Sequence, residues 1–448
     1  MPKRNELVDT FMSTVTARNE GQDEFLHAVR DVAEDVLTIE KNDAEMSAAR
    51  VLERLTEPDR IITFRVTWMD DGGAIRINRG WRVQLSNAIG PYKGGLRFHP
   101  SVNPSILKFL AFEQVFKNAL TGLPLGGAKG GSDFDPTGRS DAEIMRFCQA
   151  FMAELARYIG PDVDVPAGDI NVGSREIGYL YGAYKQMTGA VEGALTGKGT
   201  SFGGSEMRTE ATGYGLVYFV CAMLDEIGAS IAGKRILVSG KGNVATHAAE
   251  KAAALGAKVI TLSDTSGTLV AEDGLTRDAI DWVRAQKAAG KAISNPPSQF
   301  GAEFLPDTLP WEIEADIALP CATQNEIDAG AAQQIVDGGV SILVEGANMP
   351  LTEDAASVIR SFDVIHAPGK ASNAGGVAIS GLEMSQNAHG RFGSAEEIDR
   401  ELKSLMTQIH DRAVEEGRVD GRIDYRRGAN IAGYRKVAAA IVAMGIAA

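Results

Sequence analysis

The sequence predicts an α/β protein with two domains. Its 448 residues exceed the length of one common domain, and 44% hydrophobic with 23% charged residues is typical of folded chains with a large core. The first half combines helical stretches with strands that alternate apolar and polar residues. In the second half, short apolar runs alternate with helical stretches, which is the pattern of a parallel sheet covered by helices.

The first domain is predicted over residues 1–205. Its beginning, up to about residue 56, places apolar side chains at helical spacing. Strands are predicted at 61–66, 75–78 and 81–85, and the last two show the alternation of a half-buried sheet.

A helix is predicted to begin at Pro104. Asn103 before it is a good N-cap, and proline is favoured at the first helical position. The helix is expected to end near Leu120. Gln114 and Lys117 lie three residues apart on this helix and share a face, so both are predicted to point into the same cleft.

The second domain is predicted over residues 206–374. Its strand candidates are 235–239, 258–262, 316–319, 341–344 and 363–366. The stretch 375–448 is predicted to form helices that return to the first domain, with no further strand. This layout predicts a deep cleft between the two domains.

The composition argues against several classes of partner. A net charge of −14 disfavours binding to nucleic acid or to an anionic membrane surface. The N-terminal residues are polar, and no apolar run has the length of a membrane span. Cys148, Cys221 and Cys321 are too few and too scattered for a disulfide framework or a zinc site. A soluble, cytoplasmic protein without a metal is predicted.

A glycine-rich turn follows the strand at 235–239 and opens an alanine-rich helix. It has the pattern GxGxxA and comprises Gly240, Lys241, Gly242, Asn243, Val244 and Ala245. Such glycines allow a tight turn and let a pyrophosphate approach the helix N-terminus, where free N–H groups favour anions. The turn predicts a Rossmann-like dinucleotide-binding domain; the alternative is a glycine turn in some other α/β unit.

An acidic residue stands where the ribose of a dinucleotide is expected. Asp264 follows Gly242 by 22 residues, close to the spacing of a ribose-binding acid. Such an acid favours NAD, because it repels a 2′-phosphate. The hydroxyls of Thr265 and Ser266 could nevertheless hold a phosphate, and the possible cationic partners are Lys241, Arg284 and Lys287. The residues alone leave NAD and NADP open.

Three lysines in the first domain predict a site for a small polyanion. Lys93, Lys117 and Lys129 lie beside glycine-rich turns, and Asp169 follows in a Pro-Ala-Gly-Asp turn. The glycines next to Lys93 and Lys129 let backbone come close to a ligand. Taken singly, each residue has an ordinary alternative: a solvated lysine on a helix, or an aspartate that caps a turn.

Several long motifs of the chain resemble those of a known enzyme family. They are PYKGGLRFHP, FEQVFKNALTGLPLGGAKGGSDFDP, PAGDINVGSREIGYL, CATQNE, GANMP and SNAGGVAISGLEMSQN, and they occur in this order over about residues 60 to 435. Together they resemble the glutamate dehydrogenases of the small, hexameric bacterial and fungal type. The resemblance implies reversible oxidative deamination of L-glutamate to 2-oxoglutarate and ammonium, run as ammonium assimilation, with NADP favoured, and a homohexamer.

The resemblance also implies roles for individual residues. Lys93 and Ser380 would grip the γ-carboxylate, and Gln114 and Lys117 the α-carboxylate. Lys129 and Asp169 would be catalytic. Further substrate contacts would be Gly168 and Asn373, and further cofactor contacts Thr212 and Asn348.

Two other functions remain as alternatives at this point. One is a related dehydrogenase for a branched-chain or aromatic amino acid, but it would need an apolar side-chain pocket where Lys93 and Ser380 stand. The other is a non-catalytic protein that binds 2-oxoglutarate or a nucleotide, and the presence of both Lys129 and Asp169 argues against it. Lys241 stands where many relatives carry a small residue, and we expect it to assist in binding the 2′-phosphate of NADP.

Overall fold

A computed structural model describes residues 4–447. The chain divides into two compact units. The first unit comprises the chain up to Arg208, Ile379–Glu396 and the C-terminal segment from Asn430; the second comprises Thr209–Ala378 and Glu397–Ala429. Both units contain sheets and helices, so the predicted α/β class is confirmed.

The first unit contains a five-stranded mixed sheet. Its strands are β1 (Arg60–Met69), β2 (Ile75–Ser86), β3 (Tyr92–Phe98), β4 (Gly127–Ser132) and β5 (Asp164–Gly168). The helices are α1 (Arg4–Arg18), α2 (Asp23–Asn42), α3 (Ala44–Ala49), α4 (Val51–Leu55), α5 (Pro104–Leu120), α6 (Asp141–Leu155) and α7 (Ser174–Thr188). The order is β1-β2-β4-β3-β5, and β3 runs parallel to both β4 and β5. Three carboxyl ends therefore meet at one edge of the sheet.

The prediction of two strands at 75–78 and 81–85 was wrong, because β2 continues through Gly80. Gly80 pairs with Phe64 of β1, and a Cβ on Gly80 would lie 2.2 Å from the Phe64 ring. Glycine at this position leaves the space that the ring occupies. A strand-interior glycine was therefore mistaken for a break.

Helix α5 forms as predicted. The Asn103 side chain accepts a hydrogen bond from the Ile106 N–H at 3.0 Å, Pro104 is the first helical residue, and the helix ends at Leu120. The core of the unit packs β1 and β3 against α6 and α7 through aromatic rings. Phe98 contacts Phe147 edge-to-face, with 5.1 Å between ring centroids.

The second unit contains a five-stranded parallel sheet and a three-stranded antiparallel one. The strands are β6 (Arg235–Val238), β7 (Lys258–Val259), β8 (Thr261–Asp264), β9 (Gly267–Val270), β10 (Glu303–Pro306), β11 (Ile317–Leu319), β12 (Ile342–Val344) and β13 (Ile365–Ala367). The helices between them are α8 (Ala211–Glu226), α9 (Asn243–Ala254), α10 (Arg277–Ala288), α11 (Ala329–Asp337), α12 (Glu353–Ser361) and α13 (Gly369–Ser372). The parallel order is β13-β12-β11-β6-β7, so β6 lies between β11 and the edge strand β7.

The predicted strand 258–262 is divided in the structure. Only β7 joins β6, whereas β8 leaves the parallel sheet and pairs antiparallel with β9. Asp264 therefore lies at the tip of a hairpin whose turn contains Thr265 and Ser266. The periodicity of a continuous apolar run does not show where such a strand changes partners.

The C-terminal part contains α14 (Gly375–His389), α15 (Ala395–Gly417), β14 (Arg418–Val419), β15 (Arg422–Ile423) and α16 (Tyr425–Met444). The expectation that no strand follows residue 376 was wrong, because β14 and β15 form a short antiparallel hairpin. Asp420 and Gly421 make its turn with φ values of 50° and 80°. Asp-Gly between two strand residues is a local sequence signal for such a hairpin.

Among residues 4–447, no helix combines the length and the apolar character needed to cross a lipid bilayer.

Candidate active site

An ion-pair cluster lies at the carboxyl edge of the sheet in the first unit. Lys129 of β4 places its Nζ 3.0 Å from Oδ1 of Asp169, which follows β5. Arg97 of β3 donates from Nε to Oδ2 of the same carboxylate at 2.7 Å. Lys129 is 4% exposed and the Asp169 side chain 17%, so the ammonium is nearly shielded from water and the carboxylate is partly shielded. One carboxylate is thus held between two cations on neighbouring strands.

The strand register explains how these side chains meet. In the order β4-β3-β5, Lys129 and Asp169 come from the two strands that flank β3. Between them on β3 is Gly95, whose added Cβ would lie 2.8 Å from Cβ of Asp169. A side chain there would displace the carboxylate. Gly168 is equally constrained, because a Cβ on it would lie 2.2 Å from the carbonyl oxygen of Val172. Both glycines are thus needed for their lack of a side chain.

The cluster changes the proton affinity of both partners. Burial lowers the pKa of Lys129, and the charge of Arg97 lowers it further, against the opposite influence of Asp169. Burial alone would raise the pKa of Asp169, but the charges of Lys129 and Arg97 and their hydrogen bonds outweigh it and hold that pKa below its usual range. The result is a stable carboxylate beside an ammonium group that releases its proton more easily than usual.

Lys93 is a second buried lysine in the same unit. It lies on β3, is 2% exposed, and donates from Nζ to Oγ1 of Thr196 at 2.7 Å. Burial lowers its pKa well below the usual value for lysine, and the nearby Arg208 guanidinium adds to this, whereas Glu383 opposes it. A buried lysine whose bonded partner is a neutral hydroxyl is costly for the fold, so its retention points to a ligand that supplies negative charge.

Beside Lys93, a buried ion pair fixes the start of the C-terminal helices. Nζ of Lys198 lies 2.8 Å from Oε1 of Glu383 on α14, with side chains 1% and 0% exposed. Glu383 also accepts from the Gly197 N–H at 2.8 Å. Ser380, which is 2% exposed, lies one turn before Glu383 on the same helix. The ion pair therefore anchors the helix that carries Ser380.

Gln114 and Lys117 lie on α5, as predicted. Both are half-buried, and Nε2 of Gln114 donates to Oδ1 of Asn118 at 2.7 Å. Asn118 in turn donates to the Lys93 carbonyl at 3.1 Å and so ties α5 to the backbone of β3. The helix is thereby held against the strand that carries Lys93 and Arg97.

Two basic residues were missed in the sequence. Arg97 stands in the same motif as Lys93, two residues beyond Gly95, and the alternation of a strand places its side chain on the face of Gly95. That signal could have found it. Arg208 has no local signal, since it lies in an irregular segment far along the chain. Its Nε is buried and has no hydrogen-bond partner among residues 4–447, which suggests a place for a ligand.

The glycine turn of the second unit lies between β6 and α9, as predicted. Gly240 has φ +87°, and a Cβ on it would lie 3.1 Å from Ala322. Gly242 is the N-cap of α9 and provides no side-chain acceptor, whereas Thr276, Asp328 and Thr352 cap α10, α11 and α12 with their side chains. The first N–H groups of α9 thus suit a phosphate. The residues present fit a dinucleotide.

The residues predicted to contact the cofactor surround this turn or the neighbouring strand ends. Asn243 and Val244 begin α9, and Thr212 lies in the first turn of α8. Asn348 follows β12, where its Oδ1 accepts from Nδ2 of Asn373 at 3.0 Å. Every candidate cofactor residue lies in the second unit. The candidate substrate residues lie in the first unit, except Asn373.

Asp264 is tightly held. Its Oδ2 lies 2.6 Å from Nζ of Lys241 and accepts from the Ile293 N–H at 3.1 Å. Its Oδ1 accepts from both N–H and O–H of Ser266, at 2.9 and 2.5 Å. Burial would raise the pKa of Asp264, but the hydrogen bonds from Lys241 and Ser266 lower it to about 2. The predicted ribose-binding acid is therefore already bound by protein groups.

Fold and site together are typical of dinucleotide-dependent oxidoreductases: a parallel sheet with a glycine turn in one unit, and a buried lysine–aspartate pair in the other. Residues 203–445 match the Glutamate/Leucine/Phenylalanine/Valine dehydrogenase family, and residues 58–186 match the dimerisation domain of Glu/Leu/Phe/Val dehydrogenases. The chain belongs to this family.

The individual relatives with high sequence identity are glutamate dehydrogenases. The chain is 55% identical to the NADP-specific glutamate dehydrogenase of Psychrobacter sp., with 96% of this chain and 98% of the relative covered. It is 52% identical to the NADP-specific glutamate dehydrogenase of Escherichia coli, over 98% of each. It is also 53% identical to the NAD-specific glutamate dehydrogenase of Bacteroides fragilis, over 98% of this chain and 99% of the relative.

Solved structures agree with these relatives. A glutamate dehydrogenase with 47% identity superposes with a TM-score of 0.96, covering 99% of this chain and 100% of that one. The enzyme of Plasmodium falciparum, 45% identical, gives a TM-score of 0.94 over 99% and 95%. The predicted resemblance, the two-domain α/β fold and the class of amino-acid dehydrogenase are confirmed.

Proposed function

We propose that the chain is an NADP-dependent glutamate dehydrogenase, which interconverts L-glutamate with 2-oxoglutarate and ammonium. The observation that carries the proposal is the ion pair of buried Lys129 with Asp169, on the same sheet as the buried, incompletely compensated Lys93. The Lys129–Asp169 pair can transfer protons at a carbon that bears an amino group. Lys93 favours a substrate whose side chain carries a carboxylate.

Lys93 selects a dicarboxylic substrate. A γ-carboxylate next to its Nζ would compensate the buried ammonium, and an apolar side chain would leave it uncompensated. Arg208 could bind the same carboxylate through its unpaired Nε, and Ser380 through its hydroxyl. Leucine, valine and phenylalanine would meet the opposite environment, so the branched-chain and aromatic alternatives are disfavoured.

The α-carboxylate is assigned to α5. Gln114 offers amide hydrogens and Lys117 an ammonium group from the same helix face. Gly168 is assigned to a substrate contact at the end of β5, and Asn373 to a further substrate contact. Two carboxylate-binding groups on different elements would favour a diacid with five carbon atoms, because its two carboxylates are separated by the matching distance.

Lys129 and Asp169 carry the proton chemistry. With its lowered pKa, Lys129 can act as a base toward the water that attacks the imine carbon, and in its protonated form it polarises the carbonyl in the reverse direction. Asp169, which is ionised before the reaction, can transiently accept a proton from the substrate ammonium and return it. Arg97 holds the carboxylate in place throughout.

The cofactor is assigned to the glycine turn. NADP⁺, when bound, supplies the hydride acceptor. The first N–H groups of α9 and the backbone of Gly240 and Gly242 would hold its pyrophosphate. Thr212, Asn243, Val244, Thr265, Ser266 and Asn348 are assigned to further contacts. NAD remains possible, since a close relative is NAD-specific.

One steady-state assay tests substrate and cofactor together. The full chain is given 2-oxoglutarate and ammonium with NADPH and, separately, NADH, and in the reverse direction glutamate and leucine are compared. Oxidation of NADPH with faster turnover of glutamate supports the proposal. Faster turnover of leucine would overturn the substrate. Absence of any NADPH oxidation would favour a non-catalytic binding protein instead.

Arg97 is expected to set the pH dependence of deamination. Its charge lowers the pKa of Lys129, so Arg97→Met should raise that pKa. Lys129 acts as a base when deprotonated, and the acid limb of kcat/KM reports its pKa in the free enzyme. We expect this limb to move to higher pH. Loss of Arg97 also raises the pKa of Asp169, but Lys129 still lowers it, so the carboxylate titrates on the acid side of the Lys129 limb.

The control for this shift is Arg157→Met, which removes an exposed arginine whose partner is Glu154, also on the surface. Its acid limb should coincide with that of the unmodified protein. An Arg97→Met profile that coincides as well would show that Lys129 is not the titrating base.

A homohexamer in the cytoplasm completes the proposal. β1 is an edge strand, and the hairpin of β1 and β2 exposes Ile61, Met69, Ile75 and Ile77. Such an apolar edge is typical of a surface that pairs with another copy. A related glutamate dehydrogenase of Thermus thermophilus, 29% identical, is hetero-hexameric. Light scattering on the purified chain should give six times the monomer mass; a monomer mass would refute the hexamer.

The proposed cytoplasmic location agrees with the state of the cysteines. All three cysteines are free, as suits a reducing compartment.

A further inference from the structure

Lys241 and Asp264 form an ion pair at the carboxyl end of β6. Lys241 lies inside the glycine turn, and its Nζ is 2.6 Å from Oδ2 of Asp264, with the side chains 18% and 6% exposed. The ammonium also donates to the Lys291 carbonyl at 2.7 Å. Within the part of the chain that the structure describes, these bonds use two of its three hydrogens, so one remains for a further acceptor.

The carboxylate of Asp264 has little capacity left. A carboxylate offers about four acceptor positions. Four are taken by Lys241, by the N–H and O–H of Ser266, and by the Ile293 N–H. To bind the ribose hydroxyls of NAD⁺, Asp264 would have to give up one of these donors. The acid that favours NAD in other dinucleotide sites is therefore satisfied within this protein.

The other cations near this sequence region are bound elsewhere or lie on the surface. The Arg284 guanidinium pairs with Glu250 and Asp281 and also donates to the Thr246 carbonyl. Lys287 is exposed on α10. Of the three cations considered from the sequence, only Lys241 touches Asp264.

We propose that Lys241 sets the cofactor preference by covering Asp264. It cancels the charge that would repel a 2′-phosphate, takes an acceptor position that the 2′-hydroxyl of NAD⁺ would need, and offers its remaining hydrogen to a phosphate oxygen. Lys241 and Asp264 thus act as one unit. This inference rests on the proposed use of NADP and explains how an acid at the ribose position is compatible with it.

The proposal predicts coupling between the two residues, which direct binding can measure. Dissociation constants of NADP⁺ and NAD⁺ are determined by isothermal titration calorimetry, without substrate, for the full chain and for Lys241→Ala, Asp264→Ala and the double variant. In Lys241→Ala, NADP⁺ should bind about 30- to 100-fold more weakly, because the exposed carboxylate repels the phosphate. NAD⁺ should bind equally well or up to about fivefold more tightly, because Asp264 can now accept from the ribose.

In the Asp264→Ala background, the same loss of Lys241 should weaken NADP⁺ by less than about tenfold, since no repelling carboxylate remains. Equal losses in both backgrounds would overturn the proposal. So would an equal weakening of NADP⁺ and NAD⁺ in Lys241→Ala, which would make Lys241 a general pyrophosphate contact. If Lys241→Ala does not fold, Lys241→Ser takes its place, because a small polar residue suits the turn.

A matched control is Lys234→Ala. Lys234 precedes the same strand β6 at its amino end and lies 3.2 Å from Asp316. Its removal also breaks a lysine–aspartate pair, but at the end away from the glycine turn, and should leave both dissociation constants within twofold. The assay of the unmodified chain with NADPH tests the proposed function separately, so failure of one can be told from failure of the other.

Discussion

Lys129→Met is expected to lower kcat at least about 1000-fold in both directions, because it removes the group that moves a proton to and from the attacking water. NADPH binding in the second unit should be unchanged, since Lys129 belongs to the first. The measurement is the steady-state rate with 2-oxoglutarate, ammonium and NADPH, together with the NADPH dissociation constant by fluorescence titration.

A second substitution at this position separates charge from proton transfer. Lys129→Arg keeps a cation beside Asp169, but a guanidinium does not lose its proton in proteins and so cannot act as a base. Its kcat should therefore fall nearly as far as that of Lys129→Met. If Lys129→Arg retains kcat within about tenfold, Lys129 acts through charge alone and the base must be sought elsewhere.

The matched control is another buried lysine of the first unit. Lys108 on α5 contacts Asn19, and its Nζ lies 4.2 Å from the ring centroid of Phe25. Lys108→Met removes a buried ammonium of similar environment without touching the ion-pair cluster. Any loss of stability common to buried lysines should appear here, with kcat within about twofold of the unmodified protein.

Local signals in the sequence were sufficient to predict where several helices begin and which motifs they carry. Asn103 and Pro104 fixed the start of α5, and the glycine turn fixed the start of α9, because caps and turns depend on a few adjacent residues. The shared helix face of Gln114 and Lys117 followed from helical geometry alone.

Partners distant in sequence could not be predicted in this way. The pairing of Arg97 with Asp169 depends on the register of β3 against β5, which no local pattern specifies. Lys93 finds its hydroxyl partner 103 residues further along the chain. Asp264 was expected to bind a ribose, but in the folded chain Lys241, Ser266 and the Ile293 N–H already bind its carboxylate.

Lys93→Met is expected to weaken catalysis and stabilise the fold. Loss of the buried ammonium that is proposed to bind the γ-carboxylate should lower kcat/KM for glutamate about 100- to 1000-fold. It should also shift the substrate preference toward amino acids with apolar side chains. Methionine fills a similar volume without a charge. The unfolding free energy at neutral pH should therefore rise by about 1 to 2 kcal/mol. Loss of the hydrogen bond between Lys93 and the Thr196 hydroxyl reduces this gain.

The sign of the pH dependence follows from the direction of the pKa shift. Burial lowers the pKa of Lys93 in the folded state, so between that pKa and the unfolded value of 10.5 the unfolded chain binds more protons. Stability of the unmodified protein therefore rises with pH through this window, and Lys93→Met loses this contribution. The Tm advantage of the variant should shrink between pH 7 and pH 10. A Tm difference that stays constant over this range would mean that Lys93 remains charged in the folded protein. The chain itself would then have to supply an anion that compensates Lys93, in place of the substrate carboxylate.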